Sequence, residues 1–170
     1  MFLKVFGAIF VIAGCASVGF ALCRNFRREE DALEQLVHAL EWMRLELSYK
    51  MPALSTLCKD ASKISKGVVG ELLFQLATEL EQQLTPHVGL CMDAAIAAVP
   101  QLPESVVSHL KRLGTSLGQF NLEGQLIALE SAETVCRNEL MVLHQSRNTK
   151  FRNYQVLGLC AGTAIVLLFL

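Results

Sequence analysis

Apolar and polar positions along this 170-residue chain fall into three zones. Residues 2–23 and 154–170 are nearly free of charge. At about 1.5 Å of rise per residue, each is long enough as a helix to cross a hydrocarbon core of about 30 Å. The pattern predicts transmembrane helices at residues 1–23 and 154–170, flanking a domain of residues 24–153 that holds every Asp and Glu. Both ends of that domain are then expected on one face of a bilayer. The C-terminal span stops at Leu170 with no anchoring residue after it, which suits a tilted or shallow seat.

Between the spans the periodicity is helical throughout, and the sequence predicts no strand. Leu33, Leu36, Val37, Leu40, Met43 and Leu47 recur at steps of three and four, predicting an amphipathic helix from Glu29 to Tyr49 that continues from the first span. Pro52 is expected in the first turn of a short second helix ending near Lys63, where its missing N–H is not needed. Gly67 and Gly70 are read as the break after it. A third helix, Val68 to Leu84, places Val69, Leu72, Leu73, Leu76 and Leu80 on one face. Residues 85–89 (Thr-Pro-His-Val-Gly) form a predicted loop, followed by an Ala-rich helix over Leu90 to Val99.

Pro103 and Glu104 open the next helix, with Val106, Val107, Leu110, Leu113 and Leu117 buried and Gly118 ending it. Asn121 is the predicted N-cap of a last helix that carries Leu126, Leu129, Val135, Leu140 and Leu143 and passes into the second span. The expected fold is thus an all-α antiparallel helical bundle flanked by two transmembrane helices.

Charge gives the bundle a side. Arg24, Arg27 and Arg28 follow the first span, and Arg147, Lys150 and Arg152 precede the second, while Lys4 is the only base beyond them. Positive-inside counting puts residues 24–153 in the cytoplasm, with the arginine cluster as a membrane-surface anchor against the lipid bilayer. Apart from Lys4 the 15 Lys and Arg share this segment with all 16 Asp and Glu, so no basic stripe points to nucleic acid.

A second reading of the N-terminus rests on Ile12-Ala13-Gly14-Cys15, which has the form of a lipobox with Cys15 as the lipidated residue. Against it, apolar sequence runs on to Cys23 and then meets three arginines, a stop-transfer pattern. The other cysteines are Cys160 in the second span and Cys58, Cys91 and Cys136, isolated in helical patterns and read as small buried hydrophobes of a reducing compartment.

Candidate chemistry is sparse. The sequence has no Walker-type loop, HExxH, GxSxG or CxxC, and His38, His87, His109 and His144 are scattered. Glu79 and Glu81, two apart on a helix, point away from one another and read as a charged face. No catalytic, cofactor or metal site is assigned, and the chain is read as a non-enzyme without cofactor.

Contact surfaces remain. Leu113-Gly114-Thr115-Ser116-Leu117-Gly118 puts two glycines one turn apart, either a notch for a partner helix or a packing seam and C-cap within the domain. Gly158 and Gly162 form a GxxxG pair in the second span, suited to packing on Gly7 or Gly14 of the first span or on another protein.

The order of these features resembles the stage III sporulation protein AB family over essentially the whole chain. They are an Arg-rich end to an N-terminal span, the long helix Leu33 to Tyr49, the turn Met51-Pro52-Ala53-Leu54, and the LGxxLG stretch 113–118 followed by Gln125. The resemblance implies a cytoplasmic bundle similar to the F domain of type II secretion and type IV pilus platform proteins. It also implies membership of the channel-like complex between mother cell and forespore, beside a secretion-type ATPase, stage III sporulation protein AA. Leu113, Gly114, Leu117 and Gly118, with Gln125, are the candidate partner contact. The sequence departs from the family pattern at Gln119-Phe120-Asn121, where Ser or Asp is usual near the helix start.

Three function classes follow: a membrane platform subunit of a sporulation complex, a membrane-tethered adaptor or regulator, and a lipoprotein with its domain outside the cytoplasm.

Overall fold

The computed structural model describes the backbone of residues 2–82, 87–117 and 121–169, and the side chains of Arg24, of residues 26–82 and 87–117, and of residues 121–145. Six helices follow in chain order: α1 (Phe2–Lys50), α2 (Leu54–Ile64), α3 (Gly67–Gln82), α4 (Val88–Ala98), α5 (Glu104–Leu117) and α6 (Leu122–Phe169). No strand occurs among the described residues. The chain is an all-α helical bundle, and it divides into two compact units, one of residues 29–140 and one formed by residues 1–28 with 141–170.

In the larger unit the apolar stripe of α1 is buried as its spacing requires: Leu33, Leu36, Val37, Leu40, Met43 and Leu47 are each at most 5% exposed. Val69, Leu72, Leu73 and Leu76 of α3 and Val106, Leu110, Leu113 and Leu117 of α5 join them, while Leu80 and Val107 are half-buried. Consecutive helices pack on one another, α2 on α3, α3 on α4 and α4 on α5. The first and last helices are joined at Glu133 of α6, the one charged side chain in the described core. It accepts hydrogen bonds from Arg44 Nε of α1 at 3.1 Å and from Arg137 Nη2 at 2.8 Å. Arg137 also lies 3.5 Å from Glu41 of α1. An acid this buried is tolerable because two guanidinium groups meet its oxygens.

The helix boundaries show where local chemistry overrode the expected pattern. Pro52 lies before α2, not in its first turn: Ala53 is the N-cap and its carbonyl accepts from Leu57 N–H at 2.9 Å. Proline disfavours helical backbone at the residue before it, yet Met51 takes φ 48°, a left-handed C-cap that ends α1 with its N–H on the Leu47 carbonyl. The break between α2 and α3 is Ser65-Lys66 followed by Gly67 at φ 62°. Lys66 N–H there is received by Gln35 Oε1 of α1 at 3.1 Å.

Gly70 belongs to α3 and not to the break. Its role is close approach, since a Cβ there would stand 2.7 Å from the Ser65 carbonyl oxygen. Val88 and Gly89 are the first residues of α4, so the expected loop is shorter than residues 85–89. Asn121 caps α6, accepting Gly124 N–H on Oδ1 at 3.1 Å while its carbonyl takes Gln125 N–H.

The smaller unit contains both apolar ends, and the helical assignments of α1 and α6 extend through them. Among the described residues no helix is long and apolar enough to cross a membrane; the side chains of the two expected spans lie outside that set.

Candidate functional site

The LGxxLG stretch forms the second half of α5, and the structure turns it inward. Leu113 and Leu117 are 6% and 2% exposed, and Gly114 is buried between them. A Cβ on Gly114 would lie 2.8 Å from Met92 Cβ and 3.5 Å from Gly89 Cα, both on α4. Gly114 and Gly89 therefore let α4 and α5 come together backbone to backbone. At Gly114 the notch that the sequence offered to a partner is filled by the domain's own helix. Physically, Leu113 and Leu117 flank Gly114 on one side of α5, and burying those leucines carries the glycine inside with them. Gly118 lies outside the described residues, and Gln125 is half-buried in the first turn of α6.

The open feature nearby is a cleft of about 500 Å³ between α5 and α6. His109, Arg112 and Ser116 line it from α5. From α6 its floor is Gly124, Ala128 and Ala132, with Glu123, Ile127 and Val135 beside them. Val135, one of the apolar residues of the last helix, is 37% exposed at this cleft, and Cys136 takes the buried position one residue on. The displacement follows the buried Glu133: the face that turns it toward Arg44 also turns Leu129 and Cys136 inward. His109 and Glu139 pair across the two helices through Nε2 and Oε2. Sequence reading passed over this cleft. The signal for it was the row of small residues Gly124, Ala128 and Ala132, four apart on one face of α6.

Arg24, Arg27 and Arg28 are exposed and lie on one face of α1, at spacings of three and four. Cys15, Gly158 and Gly162, with their expected lipid and helix contacts, are outside the residues whose side chains are described. Cys58, Cys91 and Cys136 are buried free thiols. Burial raises all three above the ordinary thiol range, Cys58 to about 12 and Cys136 to about 11; Glu139 adds to the shift at Cys136 and Glu79 to that at Cys91. Such thiols are poor nucleophiles and poor metal ligands. No group of His, Cys, Asp or Glu among the described residues is arranged to hold a metal ion. His109 is held by its pairing with Glu139, while His38, His87 and His144 are exposed and far apart in the chain.

Taken together, these features define an all-α domain held together by packing of helix on helix. The model of the stage III sporulation protein AB family matches residues 4–170, and the chain belongs to that family. A solved structure of a stage III sporulation protein AB superposes with a TM-score of 0.63 at 19% sequence identity, covering 72% of this chain and 98% of that one. No curated protein matches the chain. The protein is thus a stage III sporulation protein with the helical fold of that relative.

Proposed function

We propose that this protein is a non-enzymatic membrane platform subunit of the sporulation complex between mother cell and forespore. In this reading residues 1–23 and 154–170 cross the bilayer, residues 24–153 stand in the mother-cell cytoplasm, and that domain docks a secretion-type ATPase, stage III sporulation protein AA. One observation carries the reading. The helices that supply the domain's first and last amphipathic faces, α1 and α6, are the same helices that contain the two apolar ends. Arginines stand where each changes character, and cations at such a junction hold a helix at the cytoplasmic headgroups. A domain gripped by the bilayer through both ends is suited to holding a partner at a fixed height above it.

The test has two arms. A cysteine placed at Glu29 is expected to escape a membrane-impermeant maleimide in intact cells and to react after permeabilisation. Affinity capture of the full chain from detergent extract of sporulating cells is expected to bring down the ATPase. Labelling of Glu29→Cys in intact cells overturns the topology, and capture of the channel subunits without the ATPase overturns the docking role. A mature chain that begins at a diacylated Cys15 would replace the two-span reading with a lipoprotein.

A further inference from the structure

The cleft between α5 and α6 carries both halves of a match on one face. Arg112 stands on its α5 wall and Glu123 on its α6 wall, both exposed. Neither makes an ion pair among the described residues, whereas other exposed charges nearby do, such as Lys111 with Asp93. The floor between them is low, because Gly124, Ala128 and Ala132 project almost nothing from α6. Beside that floor stands Ile127, a bulky side chain left 61% exposed. The same patch thus holds a cation and an anion, a hollow and a knob.

We propose that this face is the contact between two copies of the chain, seated cleft to cleft about a two-fold axis. An isologous interface requires each feature and its complement on one surface, and this face carries both. Occupants of a single charge sign, or of none, fit less well. An acidic helix would satisfy Arg112 but set a like charge against Glu123, a basic helix would do the reverse, and a neutral apolar helix would desolvate both charges without pairing either. A second copy pairs both, Arg112 with Glu123 of the partner subunit and Glu123 with the partner's Arg112. Ile127 then fills the hollow over Gly124 and Ala128 of the partner subunit, and apolar area leaves water on both sides. His109 of the cleft wall already has a partner in Glu139 within each copy. The contact requires no ATPase, so it stands or falls separately from the docking role.

The experiment is a charge exchange on the full chain in mild detergent, with donor-labelled and acceptor-labelled copies mixed and energy transfer followed against protein concentration. Wild type is expected to associate, and more weakly as salt is raised. Arg112→Glu and Glu123→Arg each set like charges face to face twice in every dimer, and each is expected to raise the dissociation constant about tenfold or more. The two damaged variants mixed in equal amounts restore opposite charges at both contacts and are expected to associate again, as is the double variant. Both positions are exposed, so thermal midpoints taken at concentrations where wild type is monomeric should match wild type. The proposal is overturned if wild type stays monomeric over the accessible range, if the single variants associate as wild type does, or if mixing them recovers nothing.

Discussion

Gly114 and Gly89 sit on the two sides of one helix joint, and replacing each by alanine should move stability in opposite directions. At Gly114 the new Cβ arrives 2.8 Å from Met92 Cβ and 3.1 Å from Met92 Cγ. Carbon atoms rest at about 3.5–4.0 Å, so α4 and α5 must part by roughly 0.7 Å or Met92 must leave its place. Met92 is 1% exposed and the nearest atom is its Cβ, fixed to the backbone, so rotation of the side chain gives no relief. Overpacking of this kind costs about 1–3 kcal/mol, against which alanine returns up to about 1 kcal/mol of helix propensity. The net loss, about 1 kcal/mol, corresponds to a fall of roughly 4 °C in the thermal midpoint for a unit of this size.

At Gly89 the Cβ meets the Gly114 carbonyl, its oxygen at 3.8 Å and its carbon at 4.0 Å, both ordinary contacts. There the propensity gain stands alone, reduced by the position in the first turn of α4, and the midpoint should rise by a few degrees. The measurement is thermal unfolding of the full-length variants in one detergent, followed by circular dichroism at the helical band. If Gly114→Ala stabilises as Gly89→Ala does, the close approach of α4 and α5 is wrong. If Gly114→Leu keeps the wild-type midpoint but loses a partner, the notch faces outward after all.

Three further outcomes follow from the same structure. Glu133→Ala removes the shared acceptor of Arg44 and Arg137 and should destabilise by about 2 kcal/mol in urea unfolding, with Glu133→Gln losing less because one acceptor oxygen remains. Met51→Gly relieves a left-handed backbone at an exposed position and should stabilise by about 1 kcal/mol; a loss instead would mean that the Met51 side chain holds the turn. Because burial lifts the Cys58 thiol to about 12, its neutral form favours the fold. That contribution is complete below the unfolded thiol's value of about 8.5 and is lost as pH rises from there through the folded value, so Cys58→Ala should flatten the alkaline limb of a stability–pH profile.

Much of this fold was legible because α1, α3 and α5 keep a strict helical stripe, and every leucine of the α1 stripe is buried where its spacing put it. Asn121 was equally plain, since a short side-chain acceptor before a periodic run has one obvious use. What escaped were features that depend on a neighbour distant in sequence. Gly70 looked like a helix breaker, and only the Ser65 carbonyl above it explains why a glycine belongs inside α3. Gly114 had two readings that Met92 alone separates. On α6 the apolar run includes Val135, but Leu129, Glu133 and Cys136 face inward and Val135 is left at the cleft. An ion pair between residues 89 apart in the chain leaves no mark in hydrophobic spacing.

That same link between α1 and α6 has a consequence for how the chain is made. Arg44 leaves the ribosome 89 residues before Glu133 does. At about 5–20 residues per second, α1 waits roughly 4–18 s for the helix that closes over it. During that interval Leu33, Leu36, Leu40, Met43 and Leu47 have part of their final cover missing, although α2 to α5 arrive in the meantime. If the first apolar segment has already entered a bilayer, nascent chains are held apart in two dimensions and kept from meeting through these leucines. Without that tether the same stripe becomes a route to aggregation, so a chain shortened before α6 is expected to be cleared by proteases and not to accumulate.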